Sequence, residues 1–327
     1  MNNLREIAQK FNISEEFAVY ENVEMARRFS FKVGGRTPLL IEPLTENALL
    51  KALNTLEAEK IPYFILGGGT NIVFSDTGYD GVVISTVKLN NIEEMPLNEN
   101  KSSGDQVVLK CQCGTLMNTV VNFAVKNSLT GLEEFCGLPG TCGGAGYMNA
   151  RCFNREISDV VGKITYFDKI PGKKDVSGGI SEIPQFVRKT LEYDKTMWSY
   201  KISPFTGTDK VISSVEFRVK KTTDSGIQQR AASFMKERVE KGHFKFPCAG
   251  SVFKNNHAFG KPTGQIVDEL GLKGQTIGGA QIAPWHGNII INRDNATSKD
   301  IKALVEFVKE QVKSKTGFDL EEEILFY

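Results

Sequence analysis

Hydrophobic positions along the chain change their period several times, and each change marks an element. Leu49, Leu50, Leu53 and Leu56 follow the spacing of one helix face, and Thr45 stands where a hydroxyl can cap it, so the pattern predicts a helix running through Ala58. Pro62 interrupts, and Tyr63 to Leu66 reads as a short buried strand entering a glycine-rich loop, an order that points to an α/β unit. Leu109, Cys111 and Cys113 alternate with Lys110 and Gln112, which predicts a strand, and a helix from about Thr115 to Lys126 follows. Val211, Ser213, Val215, Phe217 and Val219 alternate again. The polar run Lys220 to Gly226 breaks both periods and reads as a domain boundary. Beyond it the pattern predicts a helix near Gln228 to Lys241 and a strand over Asn288 to Asn292. A last helix carries Ile301, Leu304, Val305, Val308 and Val312 on one stripe and stops near Gly317, and a final strand spans Leu320 to Phe326.

Composition narrows the classes. The 327 residues are 40% hydrophobic and 24% charged, which fits an ordinary globular protein long enough for two or three domains. A net charge of +1 supplies no field for nucleic acid. The start, MNNLREIAQKF, has no apolar run after its charges, and no stretch approaches the roughly 18 apolar residues of a membrane span. A cytoplasmic, monomeric protein without membrane or nucleic-acid partners is expected. The six cysteines are then expected as reduced thiols. Cys111 and Cys113 face one core, and Cys136, Cys142 and Cys248 are read as space-filling. Nothing in the spacing of Cys and the three His residues calls for a metal.

Two glycine loops carry the first chemistry. Gly67, Gly68, Gly69, Thr70 and Asn71 directly follow a predicted strand. Such a turn lets backbone approach a ligand and can present successive N–H groups to an anion, while Thr70 and Asn71 add side-chain donors. Neither G-x-G-x-x-G nor a P-loop fits, because Ile72 stands where a glycine is needed and no Gly-Lys-Ser/Thr follows. The second loop runs Gly137, Leu138, Pro139, Gly140, Thr141, Cys142, Gly143, Gly144, Ala145, Gly146, with Asn149 close behind. An ordinary tight turn and a surface loop remain the alternatives, yet two such loops favour one extended ligand such as a dinucleotide.

These loops, with the stretch GLPGTCGGAGYMNA, resemble the flavin-binding signature of UDP-N-acetylenolpyruvoylglucosamine reductases. RFSFKVGG (Arg28 to Gly35), YKISPF (Tyr200 to Phe205), AGSVFKN (Ala249 to Asn255), IGGAQIAPWHGNIIIN and the final LEEEI resemble further motifs of that family, in the same order. The resemblance implies an α+β protein. Two subdomains of the vanillyl-alcohol-oxidase-like type, residues 1–90 and 91–221, would hold non-covalent FAD, and a substrate-binding α+β domain would span 222–327. It also implies the reaction: NADPH reduces FAD, and hydride passes to the enolpyruvyl methylene carbon of UDP-N-acetylglucosamine enolpyruvate, giving UDP-N-acetylmuramate.

By the same resemblance the flavin contacts fall on Gly67, Gly68, Gly69, Thr70, Asn71, Gly137, Pro139, Gly140, Thr141, Gly143, Gly144 and Ala145. The proton donor falls on Ser251 and the active-site glutamate on Glu323. Glu321 and Glu323 share a face if the segment is a strand, so the choice between them rests on the motif, and three adjacent carboxylates are expected to raise one another's pKa. The family's substrate-polarising arginine falls on Lys201, which keeps the charge but not the bidentate fork; Arg151 or Arg155 is a candidate assistant. Tyr200, Lys254 and Asn255 are expected at the substrate, and His286 is read as substrate ligand or structural residue. Ala150 to Asn154, and Asn256 where the family favours proline, depart from the pattern. The rivals are a FAD-linked oxidase of the same flavin fold and a nucleotide-sugar binding protein without catalysis.

Overall fold

Thr45 does cap a helix. In the computed structural model, which describes residues 2–12, 15–96, 105–172 and 185–327, its hydroxyl accepts from Ala48 N–H at 3.0 Å and Glu46–Ala58 is helical. Leu49, Leu53 and Leu56 on its inner face are buried. Tyr63–Leu66 is a strand, as expected, in a four-stranded sheet ordered Phe17–Glu24, Arg36–Pro43, Val82–Ser85, Tyr63–Leu66. Val82–Ser85 runs parallel to both neighbours and is buried at every position, the continuous pattern of an inner parallel strand.

A second, antiparallel sheet is ordered Gln185–Glu192, Val161–Ile170, Val211–Lys221, Gln106–Gln112, Ile92–Pro96, with Leu129–Thr130 added beside the end of Val211–Lys221. The predicted alternation holds on Gln106–Gln112, where Val107, Leu109 and Cys111 are buried between half-buried residues. It does not hold on Val211–Lys221, where Ile212, Ser214 and Glu216 are buried as well. That strand is central, and the short helix Cys142–Tyr147 packs on it. Glu216 is tolerated there because Lys163 pairs with it at 3.0 Å. The next predicted helix starts at Met117 rather than Thr115, because the Thr115 hydroxyl donates to the Asn91 carbonyl and does not cap.

Except for the ends of the strands Phe17–Glu24 and Arg36–Pro43, these elements fall in one compact unit, Met1–Glu21, Pro38–Gly68 and Asp80–Met235, while Asn22–Thr37, Gly69–Tyr79 and Lys236–Tyr327 form another. The second unit has its own core. Its helix Ser298–Thr316 buries Ile301, Leu304, Val305, Val308 and Val312, starts in a capping box at Thr297 and Asp300, and ends on Gly317 at φ 78°. Thr276–Ile277, Ala280–Ile282 and Ile290–Asn292 form an antiparallel meander. Two predicted strands are shorter than their hydrophobic patterns. Asn288 leaves the strand because its side chain makes bonds of its own, and only Leu325–Phe326 of the terminal strand is regular, parallel to Ile72–Val73. Among the described residues no helix is long and apolar enough to cross a membrane. The architecture is α+β.

Candidate active site

Within the first unit the two glycine loops meet. A Cβ on Gly68 would stand 2.7 Å from Gly140 Cα, and one on Gly67 2.8 Å from Thr141 Oγ1. Any side chain at either position would push the loops apart. Thr141 is buried and accepts from Gly144 N–H at 3.4 Å, so it caps the helix Cys142–Tyr147. Gly143 lies against the strand end, where a Cβ would be 2.7 Å from Cys113 Cβ. Its N–H is bonded to the Cys113 carbonyl at 2.9 Å, and Ala145 N–H to the Thr141 carbonyl at 2.8 Å. Those two residues therefore shape the loop rather than donate from it. Gly137 takes φ 74° with its N–H on Asn118 Oδ1 at 3.1 Å, while Pro139 and Gly144 are exposed. The N–H groups of Gly67 and Gly68 meet no protein acceptor among the described residues. Close backbone approach with unspent N–H donors is what a pyrophosphate needs, so these residues fit FAD.

The same unit carries the Tyr200-Lys201 turn. Ser199 and Ile202 exchange both backbone hydrogen bonds, at 3.1 and 3.0 Å, which forces Lys201 to φ 59°. Asn149, fully buried, anchors the turn by donating to the Ser199 carbonyl at 2.9 Å, and it also receives Ser158 N–H at 3.0 Å. The altered segment after it is a tight hairpin, Arg151–Cys152 against Arg155–Glu156, turning at Phe153 with φ 54°. Arg151 pairs with Glu156 at 3.1 Å and lies 5.9 Å above the Tyr200 ring. Of the two candidate assistants, Arg151 is thus the one seen against this turn.

In the second unit Ser251 and Glu323 come together through backbone. Gly250 turns at φ 74° into the segment Ser251 to Lys254. On one side Glu323 N–H donates to the Val252 carbonyl at 2.7 Å and Lys254 N–H to the Glu321 carbonyl at 2.9 Å. On the other side Ser251 bridges to Ile289. Gly69 belongs to this unit, held at φ 62°, where a Cβ would be 2.5 Å from the Arg28 carbonyl. Thr70 is half-buried, and Asn71 donates its amide to the Glu323 carbonyl at 2.9 Å while accepting Leu325 N–H at 2.9 Å. Asn71 therefore ties the glycine loop to the terminal glutamate.

Two of the three terminal carboxylates are paired with lysines. Lys254 pairs with Glu321, and Lys309 with Glu322 at 2.7 Å. Burial raises the Glu322 pKa, but the Lys309 ammonium outweighs it and holds the carboxyl below its ordinary value. The expected mutual raising is thus overturned at Glu322. Asn255 accepts Thr263 N–H at 2.9 Å, so its carbonyl serves the helix Thr263–Glu269. His286 accepts Asn288 N–H on Nδ1 at 3.1 Å. Burial lowers its pKa, against a backbone bond that raises it, with Lys241 and Lys273 adding to the lowering. His243 is pushed down to about 4 by burial, then by Arg238, His286 and Lys241.

Burial pushes the thiols of Cys111 and Cys113 up to about 12 and that of Cys142 well above its ordinary range, so none is a thiolate nucleophile at neutral pH. The reading of these cysteines as packing residues stands. One residue escaped the sequence reading as a site residue. Asn288, placed there only as a strand end, is a buried carboxamide whose partner Phe253 is remote in the chain, and the one local sign was a polar residue beside apolar sequence; Asn149, noted beside the second loop, proves to anchor the Tyr200-Lys201 turn.

The chain matches known proteins in both regions. Residues 37–169 match the model of an FAD binding domain, and residues 242–327 match that of the UDP-N-acetylenolpyruvoylglucosamine reductase C-terminal domain. The reductase of that name from Treponema denticola is 41% identical over 335 residues, covering 100% of this chain and 98% of that protein. The one from Borreliella burgdorferi is 40% identical, covering 99% and 98%. The crystal structure of the Thermus caldophilus enzyme superposes with a TM-score of 0.71 at 27% identity, covering 95% of this chain and 99% of that one. The chain belongs to the UDP-N-acetylenolpyruvoylglucosamine reductase family.

Proposed function

We propose that the protein reduces UDP-N-acetylglucosamine enolpyruvate to UDP-N-acetylmuramate, a step of peptidoglycan synthesis, with NADPH as reductant. The observation that carries this reading is the whole-length match to the reductase family together with the two meeting glycine loops. FAD, when bound, supplies the hydride relay between nicotinamide and substrate. Gly67, Gly68, Gly69, Thr70, Asn71, Gly137, Pro139, Gly140, Thr141, Gly143, Gly144 and Ala145 are the residues assigned to hold it. The substrate's methylene carbon receives hydride, and negative charge then develops beside its carboxylate. Ser251 gives the proton there, Glu323 orients or hydrogen-bonds that end, and Lys201 offsets the charge as a point cation. Tyr200, Lys254 and Asn255 hold the substrate. The Asn255 side-chain carbonyl is committed to Thr263 N–H.

The sheets support part of the division into 1–90, 91–221 and 222–327, although Asn22–Thr37 and Gly69–Tyr79 group with the C-terminal unit and Ile72–Val73 pairs with Leu325–Phe326. The four-stranded sheet ends at Ser85, the second sheet opens at Ile92, and the family's C-terminal domain begins at residue 242. We extend the reading to a cytoplasmic monomer acting without membrane or nucleic acid. The near-neutral charge supports the absence of a nucleic-acid partner, and light scattering tests the mass.

The experiment is an anaerobic absorbance titration of the purified flavoprotein. Flavin bands that bleach with NADPH and return with the enolpyruvyl sugar nucleotide are expected. Bands that bleach and return only with oxygen would favour an oxidase, and absence of bleaching a binding protein.

A further inference from the structure

We propose that Asn288 is a positioning residue for proton delivery. Its buried carboxamide stands in for the strand that the Ser251 to Lys254 segment lacks on one side, and so fixes where Ser251 lies. The inference rests on Ser251 as the proton donor. Buried backbone N–H and C=O groups need partners. The terminal segment serves one edge, through Glu323 N–H on the Val252 carbonyl and Lys254 N–H on the Glu321 carbonyl. On the opposite edge Val252 N–H reaches the Asn288 carbonyl at 2.9 Å. One residue on, both backbone groups of Phe253 are met by a single side chain. Asn288 Oδ1 accepts Phe253 N–H at 2.9 Å, and Asn288 Nδ2 donates to the Phe253 carbonyl at 2.8 Å.

The clamp is closed to water. Asn288 is 3% exposed and Phe253 2%. Its base is fixed too, since Asn288 N–H donates to His286 Nδ1. A carboxamide offers one acceptor and one donor side by side, as a peptide group does, whereas an ionised carboxylate offers only acceptors. Ser251 lies two positions before Phe253 and bridges to Ile289, the residue after Asn288, so displacement of Phe253 carries Ser251 with it. Misplacement of a reacting group by about 1 Å costs on the order of a hundredfold in rate.

Asn288→Asp tests this. The substitution is isosteric, and the protonated acid keeps one donor and one acceptor, while the ionised acid sets a charge against the Phe253 carbonyl. The two half-reactions are followed separately in the flavin-loaded enzyme. The readout is the variant-to-wild-type ratio of flavin re-oxidation rates with the enolpyruvyl sugar nucleotide, which divides out His286, Lys254, Glu321, Glu322 and Glu323, present in both. That ratio is expected to fall roughly 10- to 100-fold at alkaline pH and to recover towards one as the pH drops. Bleaching by NADPH should keep the wild-type rate throughout. Asn288→Ala should show the deficit at every pH; where it does not fold, the Asn288→Asp profile decides alone. A ratio of one at all pH, a deficit independent of pH in Asn288→Asp, or NADPH bleaching lost in step with re-oxidation each overturns the proposal. Ser251→Ala, measured alongside, separates the two readings. Its normal re-oxidation removes Ser251 as donor, whereas a blocked Ser251→Ala with a flat Asn288→Asp ratio removes only the positioning role.

Discussion

The glycine loops and the Ser251–Glu323 segments place backbone for a ligand by opposite means. In the loops the absence of side chains does it: Gly67 and Gly68 sit where a Cβ would strike Thr141 or Gly140. Around Ser251 polar side chains do it, because Asn288 and Asn71 supply bonds that a strand ladder would otherwise make. The first region should therefore be sensitive to added atoms and tolerant of lost polar groups. The second should respond the other way.

The largest effect expected falls on chemistry. Ser251→Ala should bind FAD and accept hydride from NADPH, yet re-oxidise with substrate at least roughly a hundredfold more slowly, since only that half-reaction needs the proton. Stopped-flow absorbance separates the halves, and normal turnover would sink the assignment.

Gly68→Ala probes the loops. One methyl directed at Gly140 Cα should cost about 1–3 kcal/mol and show as flavin lost on gel filtration. Retention of stoichiometric FAD in this variant would end the steric half of the comparison.

Asn71→Ala probes the other side. It removes the donor to the Glu323 carbonyl, at a cost of about 1 kcal/mol in urea unfolding. If Asn71 mainly positions Glu323, re-oxidation by substrate should slow while FAD affinity holds. If it mainly holds flavin, affinity should fall first.

A further effect concerns pH. His243 has an ordinary pKa of 6.5 and about 4 in the fold, so the unfolded chain binds more protons between those values. Stability should thus decline as pH falls from 6.5 towards about 4, and His243→Gln should flatten that decline in urea melts taken across the window. An unchanged slope would show that the acid loss arises elsewhere.

The legible parts of the sequence were those whose signals are local. Thr45 announced its helix because a cap bonds within its own first turn, and Gly317 marked the end of the last helix. The cysteines were legible as packing, and burial accounts for their raised pKa values. The predicted strand over Leu320 to Phe326 was mostly lost, since its partners lie at Ile72 and Val252 and no local period records which residues they will meet. The expected mutual raising at Glu322 failed for the same reason, as Lys309 approaches from a helix.

By itself, then, the sequence determined the helices Glu46–Ala58, Met117–Lys126, Ile227–Glu240 and Ser298–Thr316, the two glycine loops and the ordered motifs that mark the family and its chemistry, while Asn2–Asn12, Cys142–Tyr147 and Thr263–Glu269 were not read from it. Periodicity, capping and backbone freedom are properties of neighbouring residues. The tertiary structure alone decided that the first glycine motif is divided, with Gly67 and Gly68 in one compact unit and Gly69 to Asn71 in the other. It also decided which carboxylates are paired, and that Asn288 and Asn71 complete the backbone around Ser251 and Glu323. Asn71 and Glu323 are 252 positions apart. A hydrogen bond across that separation leaves no trace in local pattern, and only the packed chain brings donor and acceptor within reach.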